Sequence, residues 1–243
     1  MRKIHQALLS LNHFRKYSEF RNIFSIMGQG FEQQVCDPFI NKKILALSPH
    51  PDDMVFGCAG MILESIKQGS SVIEVTMTNG LDKGRVDESK SAGRIIGVSK
   101  QIFLDTKDNE LSCSNENINR LKEVIDLEKP DVILLPSFFD PNNDHFELTK
   151  ILAKILKKHD FNGEIWQYEV WQPVFLNRLL NIDKSIETKK SAIRCYKSQL
   201  RDRPYEEAIM GLNKYRANMF GLGEYAEAFL ATNKKIFIKA LED

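Results

Sequence analysis

Histidine is scarce in this chain, with five residues in 243: His5, His13, His50, His145 and His159. Two of them stand beside acids. One run reads Ser48-Pro49-His50-Pro51-Asp52-Asp53, and another reads Ser137-Phe138-Phe139-Asp140-Pro141-Asn142-Asn143-Asp144-His145. Two imidazoles and one carboxylate that leave a coordination position open make a catalytic zinc site. Zinc so held lowers the pKa of a bound water to about 7 and polarises a carbonyl. Neighbouring acids allow one carboxylate to hold metal while the other takes a proton from the water. Pro49 and Pro51 stiffen the first run. A plainer reading stays open: Asp52 or Asp53 caps the helix that follows, and His145 merely sits at another helix start.

The elements that would carry these runs are legible as apolar segments. Ile44-Leu45-Ala46-Leu47-Ser48 and Val132-Ile133-Leu134-Leu135 lack polar alternation, as strands buried on both faces do. Val72–Thr78, Ile102–Leu104 and Ile165–Val170 read as further strands. Helices are expected over Val55–Gln68, Asp87–Ile96, Asn117–Leu127, Phe146–Lys158, Ile186–Gln199 and Tyr205–Met219, and a last strand over Lys235–Lys239. The alternation implies βαβ units, hence an α/β fold: a Rossmann-like, mainly parallel sheet with helices on both faces. In such sheets ligands bind beyond the carboxyl ends of the strands, where both histidine runs fall. The turn after the first strand has no G-x-G-x-x-G, which argues against a dinucleotide site; Gly57 and Gly60 fall inside a helix, where they permit close packing.

Composition narrows the function classes. Lys and Arg total 34 against 33 Asp and Glu, a net charge of +1, so there is no basic excess for nucleic acid. No window has the roughly 18 apolar residues of a spanning helix. The four cysteines form no C-x-x-C pair, which suits a reducing compartment and a cytoplasmic protein. Residues 1–40 read as an N-terminal helical extension and 41–243 as a single domain. The extension lacks a secretory signal's apolar core. It either packs on the domain or on a second subunit, giving a homo-oligomer, or lies on a membrane surface; its mixed charges weigh against the last.

Ile44–Gly60, with Pro49-His50-Pro51-Asp52-Asp53 and Gly57-Cys58-Ala59-Gly60, resembles the PIG-L/LmbE-like N-deacetylases. The likeness extends over about residues 42–230, through Thr78-Asn79-Gly80, Arg85, Glu88, Ala92, Gly97-Val98, Asp108, Leu111, Asp144-His145, Tyr168–Trp171, Lys189, Ser198-Gln199 and Glu227-Ala228-Phe229. It implies a hydrolase that removes the N-acetyl group from an amino sugar or its conjugate, with one divalent metal, usually zinc. Matched by motif, His50, Asp53 and His145 are the implied metal ligands and Asp52 the general base. Arg85 and Asp108 are the implied substrate contacts; a solvated helix-start charge and a turn residue are the alternatives.

Two positions depart from the family pattern. Met54 stands where the family usually has Glu, and Asn142 where its His-x-Asp-His motif begins. Asn142 can donate a hydrogen bond to an oxyanion but cannot act as an acid. Asp144 would then orient His145 or its neighbours, and Asp140 is the substitute loop acid. A catalytically impaired sugar-binding or scaffolding protein on the same fold is therefore the second functional expectation. Among Trp166, Tyr168 and Trp171, packing is the expected role, with one ring available to a sugar pocket.

Overall fold

The computed structural model describes residues 33–241. The chain runs through β1 (Gln34–Val35), β2 (Lys43–Ser48), α1 (Asp53–Lys67), β3 (Ser71–Thr78), α2 (Lys83–Ile96), β4 (Lys100–Thr106), α3 (Asn115–Glu128) and β5 (Val132–Pro136). It continues through α4 (Asn143–Leu156), β6 (Glu164–Tyr168), β7 (Arg178–Asn181), α5 (Ile186–Ile193), α6 (Lys197–Asp202), α7 (Tyr205–Phe220), β8 (Ala226–Asn233) and α8 (Lys234–Ala240). These strands form an eight-stranded sheet in the order β1-β7-β8-β6-β5-β2-β3-β4. The block from β6 to β4 is parallel throughout, while β8 runs antiparallel to both β6 and β7. The expected mainly parallel α/β architecture is thus the observed one.

The apolar runs have no alternation because both faces are covered. Ile44 and Ala46 pack with α1, α2 and α5 in one core, while Leu45 and Leu47 pack with α3, α4 and α8 in the other. The chain leaves β2 towards β3 on one side and reaches β5 on the other. This reversal of strand order opens a crevice at the carboxyl ends of β2 and β5, the place where open α/β sheets bind ligands.

Three expectations are corrected. Lys235–Lys239 is not a strand but lies within helix α8, whose start is capped by the Asn233 side chain accepting from Ile236 N; Phe237 and Ala240 are its buried face. The last strand is the preceding Ala226–Asn233. The helix expected over Ile186–Gln199 is two, because the chain turns between them to bury Tyr196, whose hydroxyl donates to Pro51 O at 2.8 Å. Residues 1–32 of the expected helical extension lie outside the described residues. Its last part is already sheet domain: Gln34–Val35 pair in parallel with β7, and Phe39 is in the core.

Candidate metal centre and active site

The first histidine loop is held from several sides. Thr78 donates to Pro49 O through both its backbone N (2.9 Å) and its hydroxyl (2.8 Å), and Tyr196 fixes Pro51 O. These bonds come from β3 and from the α5–α6 turn, so the loop's shape depends on residues far away in sequence. Asp53 opens α1, and its Oδ2 accepts from His50 N at 2.7 Å. The second loop follows β5. Asn142 is the N-cap of α4, with its Oδ1 accepting from Asp144 N at 2.8 Å, and His145 falls in the first helical turn, fully buried.

The two loops bring three donor atoms together. His50 Nδ1 lies 3.1 Å from Asp53 Oδ2 and 3.3 Å from His145 Nε2, and His145 Nε2 lies 3.2 Å from Asp53 Oδ2. A tetrahedral centre with bonds of about 2.0–2.1 Å sets its ligands about 3.3 Å apart. The triangle therefore fits one such ion, with an open position towards the crevice. The expected trio His50, Asp53 and His145 is in contact.

Carboxylates stand behind both rings. On the far side of His50, Nε2 is 3.3 Å from Asp144 Oδ2 and 3.0 Å from Asp108 Oδ1. Asp144 is itself clamped by Asn109 N (2.8 Å) and Leu111 N (3.2 Å). Behind His145, Asp140 Oδ2 stands 3.2 Å from Nδ1, an ion-pair distance with an approach too oblique for a good hydrogen bond. Asp140 is held by the backbone N–H groups of Asn142 and Trp171, both at 3.0 Å. Asp144 thus supports His50 and Asp140 supports His145, the arrangement that fixes tautomer and orientation at metal-binding histidines.

The electrostatics describe a site built around positive charge. Burial opposes charging His50, but Asp53, Asp108 and Asp144 outweigh it and push its pKa up to about 12. Burial likewise opposes charging His145, and Asp53 and Asp140 raise it to about 9. Burial would raise Asp53, yet the two imidazoles hold it well below the carboxylate range. With both rings neutral, the two nitrogens that face each other at 3.3 Å can turn lone pairs to one point beside the Asp53 carboxylate, where a cation satisfies all three.

Asp52 is different. Burial, then the charge of Asp53, raise its pKa to about 6, against the pull of Arg85. It occupies the N-cap position of α1 but makes no capping hydrogen bond; its Oδ1 instead accepts from Arg85 Nη2 at 3.1 Å. Arg85 is mostly covered, and its Nε is buried without a hydrogen-bond partner among the described residues. The helix-cap reading of Asp52 and the solvated-charge reading of Arg85 therefore fail locally. Asp108 lies in the loop after β4, partly exposed, against His50.

A cavity of about 520 Å³ opens above the cluster. His50, Asp52, Asp53, Arg85, Asp108 and Asn142 line one part; Phe56, Trp171, Tyr205, Ile209 and Leu212 line another. Trp166 and Tyr168 are buried in the core, whereas Trp171 is 43% exposed and reaches the cavity. Sequence reasoning did not assign Tyr196 to the site, because its hydroxyl reaches Pro51 across 145 residues.

Gly57 and Gly60 let α1 approach the sheet. A Cβ on Gly57 would meet Tyr168 Cδ2 at 2.2 Å, and one on Gly60 would meet Ile182 Cγ2 at 2.5 Å. The helix is broken at Cys58 (φ −142°), and the carboxylate of Glu227 accepts from Gly60 N and Met61 N, both at 2.8 Å, just beyond the break. Lys189 Nζ neutralises Glu227 at 2.7 Å and also donates to Asn213 Oδ1 at 3.1 Å. All three side chains are buried.

Residues 45–156 match the PIG-L family, described as GlcNAc-PI de-N-acetylase. A diacetylchitobiose deacetylase of Thermococcus kodakarensis is 30% identical over 146 residues, covering 54% of this chain and 55% of that protein. An uncharacterised deacetylase of Escherichia coli is 28% identical over 116 residues, covering 43% of this chain and 62% of that protein. The chain thus spans little more than half the length of these curated relatives. The N,N'-diacetylchitobiose deacetylase of Pyrococcus horikoshii, solved with its inhibitor MPG, has a TM-score of 0.71 at 25% identity, covering 81% of this chain and 85% of that one. The matched stretch, residues 45–156, holds both histidine loops, Arg85 and Asp108, and is similar to the PIG-L family over that length.

Proposed function

We propose that this protein is a divalent-metal hydrolase, with zinc as the metal, that removes the N-acetyl group from an amino sugar or an amino-sugar conjugate. The carrying observation is the His50–Asp53–His145 triangle with Asp52 beside it, held by Arg85 and free of any capping duty. The family and the deacetylase relatives support the same reading.

His50 Nδ1, Asp53 Oδ2 and His145 Nε2 would hold the metal, with Asp144 and Asp140 orienting the two rings. When bound, the ion supplies Lewis acidity to the acyl carbonyl and acidifies water. Asp52, unprotonated above a pKa of about 6, accepts the water's proton as its oxygen attacks the carbonyl carbon. Asn142 spends its Oδ1 on the helix start, and its Nδ2, which has no partner among the described residues, donates to the carbonyl oxygen as that oxygen gains charge. The C–N bond then breaks, Asp52 returns the proton to the leaving nitrogen, and acetate and the free amine depart. Arg85 keeps Asp52 aimed and offers its unpartnered Nε to a sugar oxygen.

The test is metal content of the purified protein together with acetate release from N-acetyl amino sugars. About one zinc per chain and turnover that His50→Ala abolishes are expected; a metal-free active protein, or full turnover in His50→Ala, overturns the proposal. Asn142 favours a second reading, an impaired sugar-binding protein, since no histidine stands where the family motif places one. That reading requires sugar binding with no turnover at any metal load.

A further inference from the structure

We infer that the substrate carries an apolar substituent, aliphatic or aryl, seated against α7; this rests on the amino-sugar reading of the same site. Helix α7 has two working faces. Met210, Asn213, Arg216 and Ala217 are buried against the protein. Tyr205, Ala208, Ile209 and Leu212 repeat at i, i+3, i+4 and i+7, the spacing of a core-facing stripe, yet they are half-buried or exposed and line the cavity. A helix face with that pattern is completed by apolar contact.

Two buried polar groups on the same wall, Asn213 and Glu169, are already spent. Asn213 accepts from Lys189 and donates to Ala226 O at 3.0 Å. Glu169 is tied to Arg216 and accepts from Val174 N at 2.8 Å. One face of Trp171 is covered by Arg203, 5.6 Å from the ring centre, and Tyr205 meets Trp171 edge-on at 5.6 Å, so that face is closed to a stacking sugar ring. Sugar hydroxyls buried against Ile209 and Leu212 would lose water and gain few partners. The opposite wall has what a sugar needs: the unpartnered Arg85 Nε, the free amide end of Asn142 and the partly exposed Asp108. The polar ring therefore belongs on the Arg85 side and an apolar group on the α7 side. A cavity of about 520 Å³ holds both. The apolar group is either the aglycone or a longer N-acyl chain, and both present the same surface to α7.

The experiment compares kcat/KM of the metal-loaded protein on the methyl and octyl β-glycosides of N-acetylglucosamine, on diacetylchitobiose and on N-octanoylglucosamine. The octyl glycoside or the N-octanoyl sugar should exceed the methyl glycoside and the disaccharide by about tenfold or more, because each buried methylene adds to binding. Which of the two excels identifies the substituent as aglycone or acyl chain. In Ile209→Asn and Leu212→Gln, with unchanged circular dichroism, the octyl-to-methyl ratio should fall towards one. Equal values for octyl and methyl forms, or a preference for the disaccharide, overturn the inference while leaving deacetylation intact. Absence of turnover on every substrate counts against the deacetylase reading instead. Calorimetric binding of octyl β-glucoside then decides: binding weakened by Ile209→Asn supports the apolar subsite, and no binding overturns it.

Discussion

Asn142 caps a helix at a position where a proton donor is absent. Its Oδ1 satisfies Asp144 N at the start of α4, and Asp144 in turn supports His50. Asn142→His should cost about 1 kcal/mol through the lost cap, measured by urea unfolding. It should also raise kcat by about a hundredfold if proton delivery to the leaving amine limits the rate. A kcat at or below wild type across the pH range refutes proton delivery as the limit. A second residue-scale prediction concerns Glu74, buried in β3 between Ser48 and Gln101. Burial, against the hydrogen bonds from Gln101 and Ser48, raises its pKa from 4.5 to about 7. The folded chain keeps that proton to higher pH than the unfolded one. Its contribution is therefore full below pH 4.5 and lost as pH rises through about 7. Glu74→Gln should gain about 2 kcal/mol on wild type between about pH 5 and about pH 8 in urea unfolding, and a constant difference refutes this. That two histidine-acid loops would meet was legible from residue type and loop position, while the choice of Asp53 over Asp52 came from the family resemblance alone. The carboxylates behind the rings were less so: which acid faces which imidazole depends on how α4 starts and where the 108–111 loop lies.

Among elements, α1 is the one whose shape the site depends on most directly. Its break at Cys58 leaves a short first turn carrying Asp53, and Glu227 from β8 caps the part beyond. Glu227→Ala leaves two backbone N–H groups and the buried Lys189 ammonium without partners, a loss of about 3–5 kcal/mol. The double change Lys189→Met, Glu227→Gln should recover part of that loss in urea unfolding; no recovery would show that the pair's charge balance is not what matters. Such a break could not be read from Asp53–Lys67 alone, since its partner arrives from the far end of the chain. The buried parallel strands were readable because burial on both faces leaves a plain apolar run. Strands β7 and β8 were not: Arg178–Asn181 is only four residues, and Ala-Glu-Ala-Phe-Leu-Ala-Thr-Asn mixes a buried acid with alanines. The Lys235–Lys239 segment misled because three apolar residues in a row suit a strand or a helix, and Asn233 decides for the helix.

For the molecule as a whole, a metal at the triangle would tie together two arms of the sheet. With free zinc at about a thousandfold over its Kd, the chelator-treated protein should gain about 4 kcal/mol of stability, and His145→Ala should abolish the gain. An unchanged melting temperature on loading refutes metal binding at this place. The described residues include no helix long and apolar enough to cross a membrane. His50 and His145 are 95 residues apart and meet only because β2 pairs with β5. Parallel pairing between distant segments is slow to form, since the loop must close before contacts reward it. The full ligand set therefore exists only once β2 and β5 have paired. A metal bound to it would hold that pairing closed and slow unfolding, so its stabilising effect would be felt as the lifetime of the native state.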